Sequence, residues 1–189
     1  MSSPMPNTMK HAFKMPVELY NRLGDMGVLP KQIELVRGIV IAKMSKSPLH
    51  ALLAGEIGDI LARIVPAGHV LRKEDPLSLR ESVPEPDISV VEGERKDFRD
   101  RHPSTAKLVI EVAVSTVEED REMAEIYAEA GIDEYWIILA GTGQIEVHKR
   151  PFAGAYMDCR VFGRGEVIES GSLAGVRVAV DEVFASVRQ

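Results

Sequence analysis

Cysteine is nearly absent from this 189-residue chain, with Cys159 standing alone. A single thiol excludes an internal disulfide and a cysteine-rich zinc site, and it points to a reducing cytoplasm. Cys159 itself reads as a small buried hydrophobe. Aromatic residues are sparse at 5%. No run of about 18 uncharged apolar residues occurs, so no membrane span is expected. The first residues are polar and include Lys10, His11 and Lys14, without the apolar core of a secretion signal. Basic charge is also short: the net charge is −6, which argues against indiscriminate gripping of a nucleic-acid backbone. A local basic patch or a bound divalent metal can still offset carboxylates.

What remains is the composition of a globular α/β chain, 45% hydrophobic and 28% charged. Residues 1–15 read as a flexible leader and 16–189 as one domain. A short helix is expected over 16–27. Two β-branched runs, 33–36 and 39–42, flank Arg37-Gly38 and predict a hairpin. The clearest helix spans 48–65, with Leu49, Leu52, Leu53, Ile57, Ile60, Leu61 and Ile64 at helical spacing. Ser47 suits its cap and Pro48 its first position. Strands are expected near 69–72, 77–79, 87–91 and 108–114, the last buried on both faces. A helix follows over 118–130, with Thr116 and Glu119 spaced as a capping box and Gly131 as its stop. Further strands fall near 135–139, 144–149, 156–162 and 176–180, with Gly141-Thr142-Gly143 as a turn. Asp181 would cap a final helix to 187. Tyr135 and Trp136 are assigned to the core.

The carboxylates carry the chemistry. Glu111 is the sole charge in Leu108-Val109-Ile110-Glu111-Val112-Ala113-Val114, and alternation puts it on one face with Val109 and Ala113. Burying even a neutral unpaired polar group costs about 2–7 kcal/mol, so Glu111 needs a cation, a hydrogen-bond network or a raised pKa. A structural ion pair with a lysine or arginine would meet that need, and so would a functional site. Asp87 follows Pro86 at the start of a strand, where an ordinary turn aspartate would also be at home. Two carboxylates on adjacent strands make a hard-oxygen site suited to Mg²⁺ or Mn²⁺.

No HExxH pair, GxSxG elbow, phosphate-binding glycine loop or dinucleotide fingerprint occurs. His50 reads as a helix-end or surface histidine. Arg95, Lys96, Arg99 and Arg101 lie between acidic neighbours in 92–106; they read as a solvated loop or as phosphate contacts beside the acids. Lys73 is a further cation that could reach the acids.

Three segments together resemble a known pattern: Glu85-Pro86-Asp87-Ile88-Ser89-Val90-Val91, Leu108 to Ala113, and Ile126 to Ile138 with Tyr127, Gly131 and Trp136. With Glu34-Leu35-Val36-Arg37-Gly38 and Ser47-Pro48-Leu49-His50, they resemble the Uma-type restriction endonuclease family of the PD-(D/E)XK superfamily. The resemblance implies an α/β fold, a restriction-endonuclease-like mixed β-sheet flanked by helices with additional β-hairpins. It implies Mg²⁺-dependent (or Mn²⁺-dependent) hydrolysis of DNA, with a homodimer as a common arrangement. Asp87 and Glu111 would hold the metal with the Val112 carbonyl, and Glu34 and Asp120 would support the site. The chain departs from the pattern at the catalytic lysine: Ala113 and Met123 occupy its two expected positions. Arg121 is the nearest substitute in sequence, although arginine stays protonated and makes a poor base. Hence two expectations: a DNA endonuclease, or an inactive relative that binds metal, nucleic acid or a protein.

Overall fold

A computed structural model describes residues 13–187. Lys10 and His11 of the expected leader lie outside these residues. Within them, the Met15 N–H donates to the Gly38 carbonyl, tying the chain to the first hairpin.

The chain runs through α1 (Val17–Asp25), the hairpin β1 (Ile33–Val36) and β2 (Ile39–Ala42), and α2 (Pro48–Ile64). β3 (His69–Lys73), β4 (Ile88–Glu92) and β5 (Leu108–Ala113) lead into α3 (Val117–Glu129). β6 (Glu134–Leu139), β7 (Gln144–Phe152) and β8 (Ala155–Phe162) complete the main sheet. β9 (Val167–Glu169), β10 (Arg177–Ala179) and α4 (Val180–Val183) end the described chain.

The main sheet has six strands in the order β3-β4-β5-β6-β7-β8. β5 and β6 are parallel, joined through α3; the other neighbours are antiparallel. A parallel pair needs a crossover, and α3 supplies it. The α/β fold with a mixed sheet and added hairpins is as expected.

Strand alternation sorts the core into two layers. Leu108, Ile110 and Val112 pack with Leu53, Ile57 and Leu61 of α2, beneath Trp136 and Ile138. Val109 and Ala113 pack on the other face with Ile126 and Tyr127 of α3. Glu111 therefore faces the α3 side, as its spacing predicts. α2 begins as its sequence dictates, with the Ser47 hydroxyl accepting from the His50 N–H and Pro48 at the first position. The β1–β2 turn takes positive φ at Arg37 (49°) and Gly38 (78°), the two-residue turn that matches strand twist. Arg37 then reaches Glu125 and Glu129 of α3, so the hairpin leans on that helix.

Several local expectations are corrected. Residues 77–79 are not a strand: their N–H groups go to Pro84, Pro103 and Ser82 carbonyls in a loop, though Leu77 and Leu79 are buried. Thr116 does not form a capping box, because its hydroxyl donates to the Asp120 carboxylate instead. α4 starts earlier and stops sooner than expected, and Asp181 accepts from the Gly165 N–H rather than capping it. β9 pairs with β10 and was not anticipated. Cys159 is exposed, because β8 is an edge strand. No helix among the described residues is long and apolar enough to cross a membrane.

Candidate functional site

Asp87 and Glu111 meet because a ladder ends between them. β4 and β5 pair at Val90↔Leu108, Ser89↔Val109 and Ile88↔Ile110. The same register puts Asp87 opposite Glu111 and Pro86 opposite Val112. Proline carries no N–H, so the ladder cannot continue through Pro86. Side chains replace it. The Asp87 N–H donates to Glu111 Oε2 at 3.0 Å, and the Val112 N–H donates to Asp87 Oδ2 at 2.8 Å. The N–H and C=O of a strand residue face the same edge, so the Val112 carbonyl looks out on the same gap.

Other elements close around this pair. Tyr127 of α3, fully buried, donates its hydroxyl to Glu111 Oε1 at 2.9 Å. Asp120, one helical turn from the start of α3, accepts from Thr116 Oγ1 at 2.7 Å. The Tyr135 hydroxyl donates to the Asp120 carbonyl at 2.8 Å and fixes that turn. From α2 and the residue before its cap come two groups that sequence reasoning did not place there. Lys46 Nζ lies 2.9 Å from Asp87 Oδ1, and His50 Nε2 lies 2.9 Å from Asp87 Oδ2. His50 is thus turned inward to an acid, not left on the surface. His50 lies in the first turn of α2 and Lys46 in the non-helical chain just before the Ser47 cap, and the two meet on Asp87.

The electrostatics split the two acids. Burial alone would raise the Asp87 carboxyl, but His50 and Lys46 outweigh it and hold it below the ordinary range. Burial drives Glu111 the other way, well above the ordinary range, and the charges of Asp87 and Asp120 add to it. Its two hydrogen bonds, from the Asp87 N–H and the Tyr127 hydroxyl, only partly offset this, and neither donor is a cation. Asp120 is pushed up to about 6, first by burial, with the Thr116 hydroxyl opposing and the charges of Asp87 and Glu119 adding. Burial raises the Glu34 carboxyl, against the Glu85 N–H and the Lys43 charge. Glu34 accepts from the Glu85 N–H at 3.4 Å and contributes to the field on Tyr127.

Arg121 and Lys73 are engaged elsewhere. Arg121 does not join the acids: its Nη2 and Nε bind Glu146 at 2.8 and 3.2 Å and its Nη1 binds Glu118 at 3.0 Å. Lys73 pairs with Asp59 at 3.4 Å. The arginines of the 92–106 loop follow Glu92, at the opposite end of β4 from Asp87, about 15 Å away at the rise of a strand. Within the loop Lys96 pairs with Glu94 and Arg99 with Asp100. Both expected lysine positions are apolar in fact: Ala113 is buried in the core under α3, and Met123 packs against that core.

The donor set fits a divalent hard cation. Beyond burial, the Asp87 charge raises the proton affinity of both Glu111 and Asp120, and Asp120 adds to that of Glu111, so a cation of charge two relieves the same repulsion that protons do. Part of Glu111 touches solvent, which leaves an approach.

Comparison with known proteins agrees with this architecture. The family model described as "Uma2: Putative restriction endonuclease" matches residues 19–181. The crystal structure of a protein from Anabaena variabilis, titled a putative nuclease belonging to DUF820, superposes with a TM-score of 0.73 at 14% identity. The match covers 90% of this chain and 98% of that one, and at such identity it speaks for the fold. No curated protein matches this chain.

Proposed function

The chain belongs to the Uma2 putative restriction endonuclease family, and on that premise we propose that it is a divalent-metal-dependent DNA nuclease centred on Asp87 and Glu111. The observation that carries this reading is the ladder break. It sets two carboxylates face to face at a strand end, and Glu111 has like charges around it and no cationic partner in its hydrogen bonds.

Asp87, Glu111 and the Val112 carbonyl would hold Mg²⁺ or Mn²⁺, with Asp120 completing the acidic wall and Glu34 at its edge. Such a cation, when bound, polarises a phosphate oxygen and lowers the pKa of a coordinated water. The chain's own residues do the rest. Tyr127 and the Asp87 N–H orient Glu111. Val112 and His50 fix one oxygen of Asp87. Lys46 fixes the other and brings an ammonium to the acids from the α2 side. The hydrogen bonds to Asp87 and Glu74 outweigh burial and keep Lys46 protonated above the ordinary lysine range. A protonated lysine there stabilises charge on a phosphate but does not serve as base. Lys46 therefore takes the electrostatic part of the lysine that Ala113 and Met123 lack, and Arg121 does not.

A plasmid-nicking assay with Mg²⁺ or Mn²⁺ tests the reading. Cleavage by the wild type, lost with chelator and lost in Asp87→Ala plus Glu111→Ala, is the expected result. Equal cleavage by both proteins would sink it. The apolar packing of Ala113 and Met123 favours a second reading, a metal-binding relative without activity. Calorimetry that detects Mg²⁺ or Mn²⁺ binding while nicking is absent would select that one.

A further inference from the structure

A second set of ligand-bearing side chains lies outside the acid centre, where β7 meets β8. His148 and Cys159 are direct cross-strand partners in the β7–β8 register. Glu146 precedes His148 by two residues and so shares its face. The carboxylate, imidazole and thiol each offer one atom, and these atoms lie within 4.8 Å of one another. His148 Nε2 is 2.8 Å from Glu146 Oε1 and 4.0 Å from Cys159 Sγ.

Two of the three ligands, Glu146 and His148, are held from behind. Arg121 grips Glu146 mainly through Oε2, from Nη2 at 2.8 Å, which turns Oε1 toward His148. The His148 ring stacks on Tyr135 at 5.7 Å and meets Tyr156 at 5.7 Å. Both tyrosines are anchored by their hydroxyls, to the carbonyls of Asp120 and Ile132. Outer groups of this kind fix a ligand's orientation before a metal arrives. Glu146 is buried, while Cys159 is exposed on the edge strand and leaves an entry path.

We propose that Glu146, His148 and Cys159 form a second metal site, for a thiophilic ion of the Zn²⁺ class. One sulfur, one nitrogen and one oxygen match the ligand softness and the open fourth position of three-ligand zinc sites. With Zn–S near 2.3 Å and Zn–N near 2.05 Å, tetrahedral geometry needs an N···S separation of about 3.6 Å. The 4.0 Å between His148 and Cys159 closes to that by a small side-chain adjustment. The imidazole would bind through Nε2 with its proton on Nδ1. The thiol binds as thiolate, and its proton goes to solvent. A Glu–His hydrogen bond alone has no use for a thiol on the directly opposed residue. Hard Mg²⁺ is disfavoured by this ligand set, so the site is chemically distinct from the acid centre and does not rest on the nuclease reading.

Co²⁺ added to the reduced, metal-free full-length protein tests it, because a cobalt–thiolate bond absorbs in the near ultraviolet. One equivalent is expected to produce that band, and Zn²⁺ to abolish it by displacement. Cys159→Ser should remove the band. His148→Gln should weaken binding by about tenfold or more. Asp87→Ala plus Glu111→Ala should keep the band while losing any nicking, so the two sites fail separately. No band at one equivalent, or a band that survives Cys159→Ser, overturns the proposal.

Discussion

Glu111 and Glu134 stand on neighbouring parallel strands, each with its carboxylate inside the protein, and their surroundings are opposite. Glu134 is satisfied many times over. It accepts from Trp136 Nε1 at 3.0 Å, Ser170 Oγ at 3.2 Å, the Ser172 N–H at 2.9 Å and the Gly171 N–H, with Lys149 at 3.7 Å. Gly171 lets its backbone approach closely: an added Cβ would come within 3.2 Å of the Glu134 carboxylate, which would have to shift by a few tenths of an ångström. Glu111 has two donors and faces other acids. Burial of charge does not by itself mark a site. The imbalance between acids and their partners does.

The comparison breaks most visibly in catalysis. Asp87→Asn or Glu111→Gln should lower metal-dependent nicking by about a thousandfold, whereas Glu134→Ala should leave the rate per folded molecule within a few-fold. If Glu134→Ala matched Glu111→Gln in a folded-protein assay, the contrast would be wrong. Stability should reverse the ranking. Glu134→Ala strands the Trp136, Gly171 and Ser172 donors and should cost about 3–5 kcal/mol, read as a melting temperature lower by about 10 °C. Glu111→Gln should leave melting of the metal-free protein within about 1 kcal/mol of wild type, because it also removes repulsion.

Lys46→Met should reduce nicking by roughly tenfold to a hundredfold, with Lys46→Arg recovering part of it. No change in Lys46→Met would return the question of the missing lysine to another group. The smallest effect concerns pH. Asp120 titrates at about 6 in the folded chain, against about 3.9 when unfolded. The folded state therefore holds the proton more tightly, so this stability is full below about pH 4 and is lost as pH rises through 6. Between pH 5 and 7.5 the metal-free protein should lose about 1 kcal/mol from Asp120, seen as a melting temperature lower by about 3 °C. Glu111, also raised, acts in the same direction. Burial lowers His102 and His148, which pull the other way over this range, so the test is the difference from Asp120→Asn: saturating Mg²⁺ should flatten it, and a wild type that gains on Asp120→Asn as pH rises would contradict the raised acid.

Residues whose environment is set by their own strand were legible in the sequence. Glu111 stands alone among apolar neighbours, so alternation gave its face. Pro86 marked the end of pairing, although only the register shows that it leaves Val112 without a ladder partner on β4. What was not legible depends on distant segments. Lys46 reaches Asp87 from 41 residues away, and nothing beside it in sequence announces the partner. The donors of Glu134 come from residues 170–172, a loop with no periodicity to read. Residues 77–79 carry an apolar pattern that a strand would share, but their N–H groups are taken by nearby carbonyls. Arg121 looked like the nearest cation because proximity in sequence stood in for direction; its helix turns it toward Glu146. Cys159 looked buried because composition does not say that β8 lies at an edge.

The clasp at the ladder break has one more consequence. The Val112 amide proton is bonded to the Asp87 carboxylate, an acceptor whose charge can change, where its neighbours in β5 are bonded to carbonyls, whose charge cannot. That proton is a built-in reporter. Its magnetic resonance frequency and its exchange with deuterated solvent track the ionisation and coordination of Asp87 residue by residue, in a protein that carries no label near the acids.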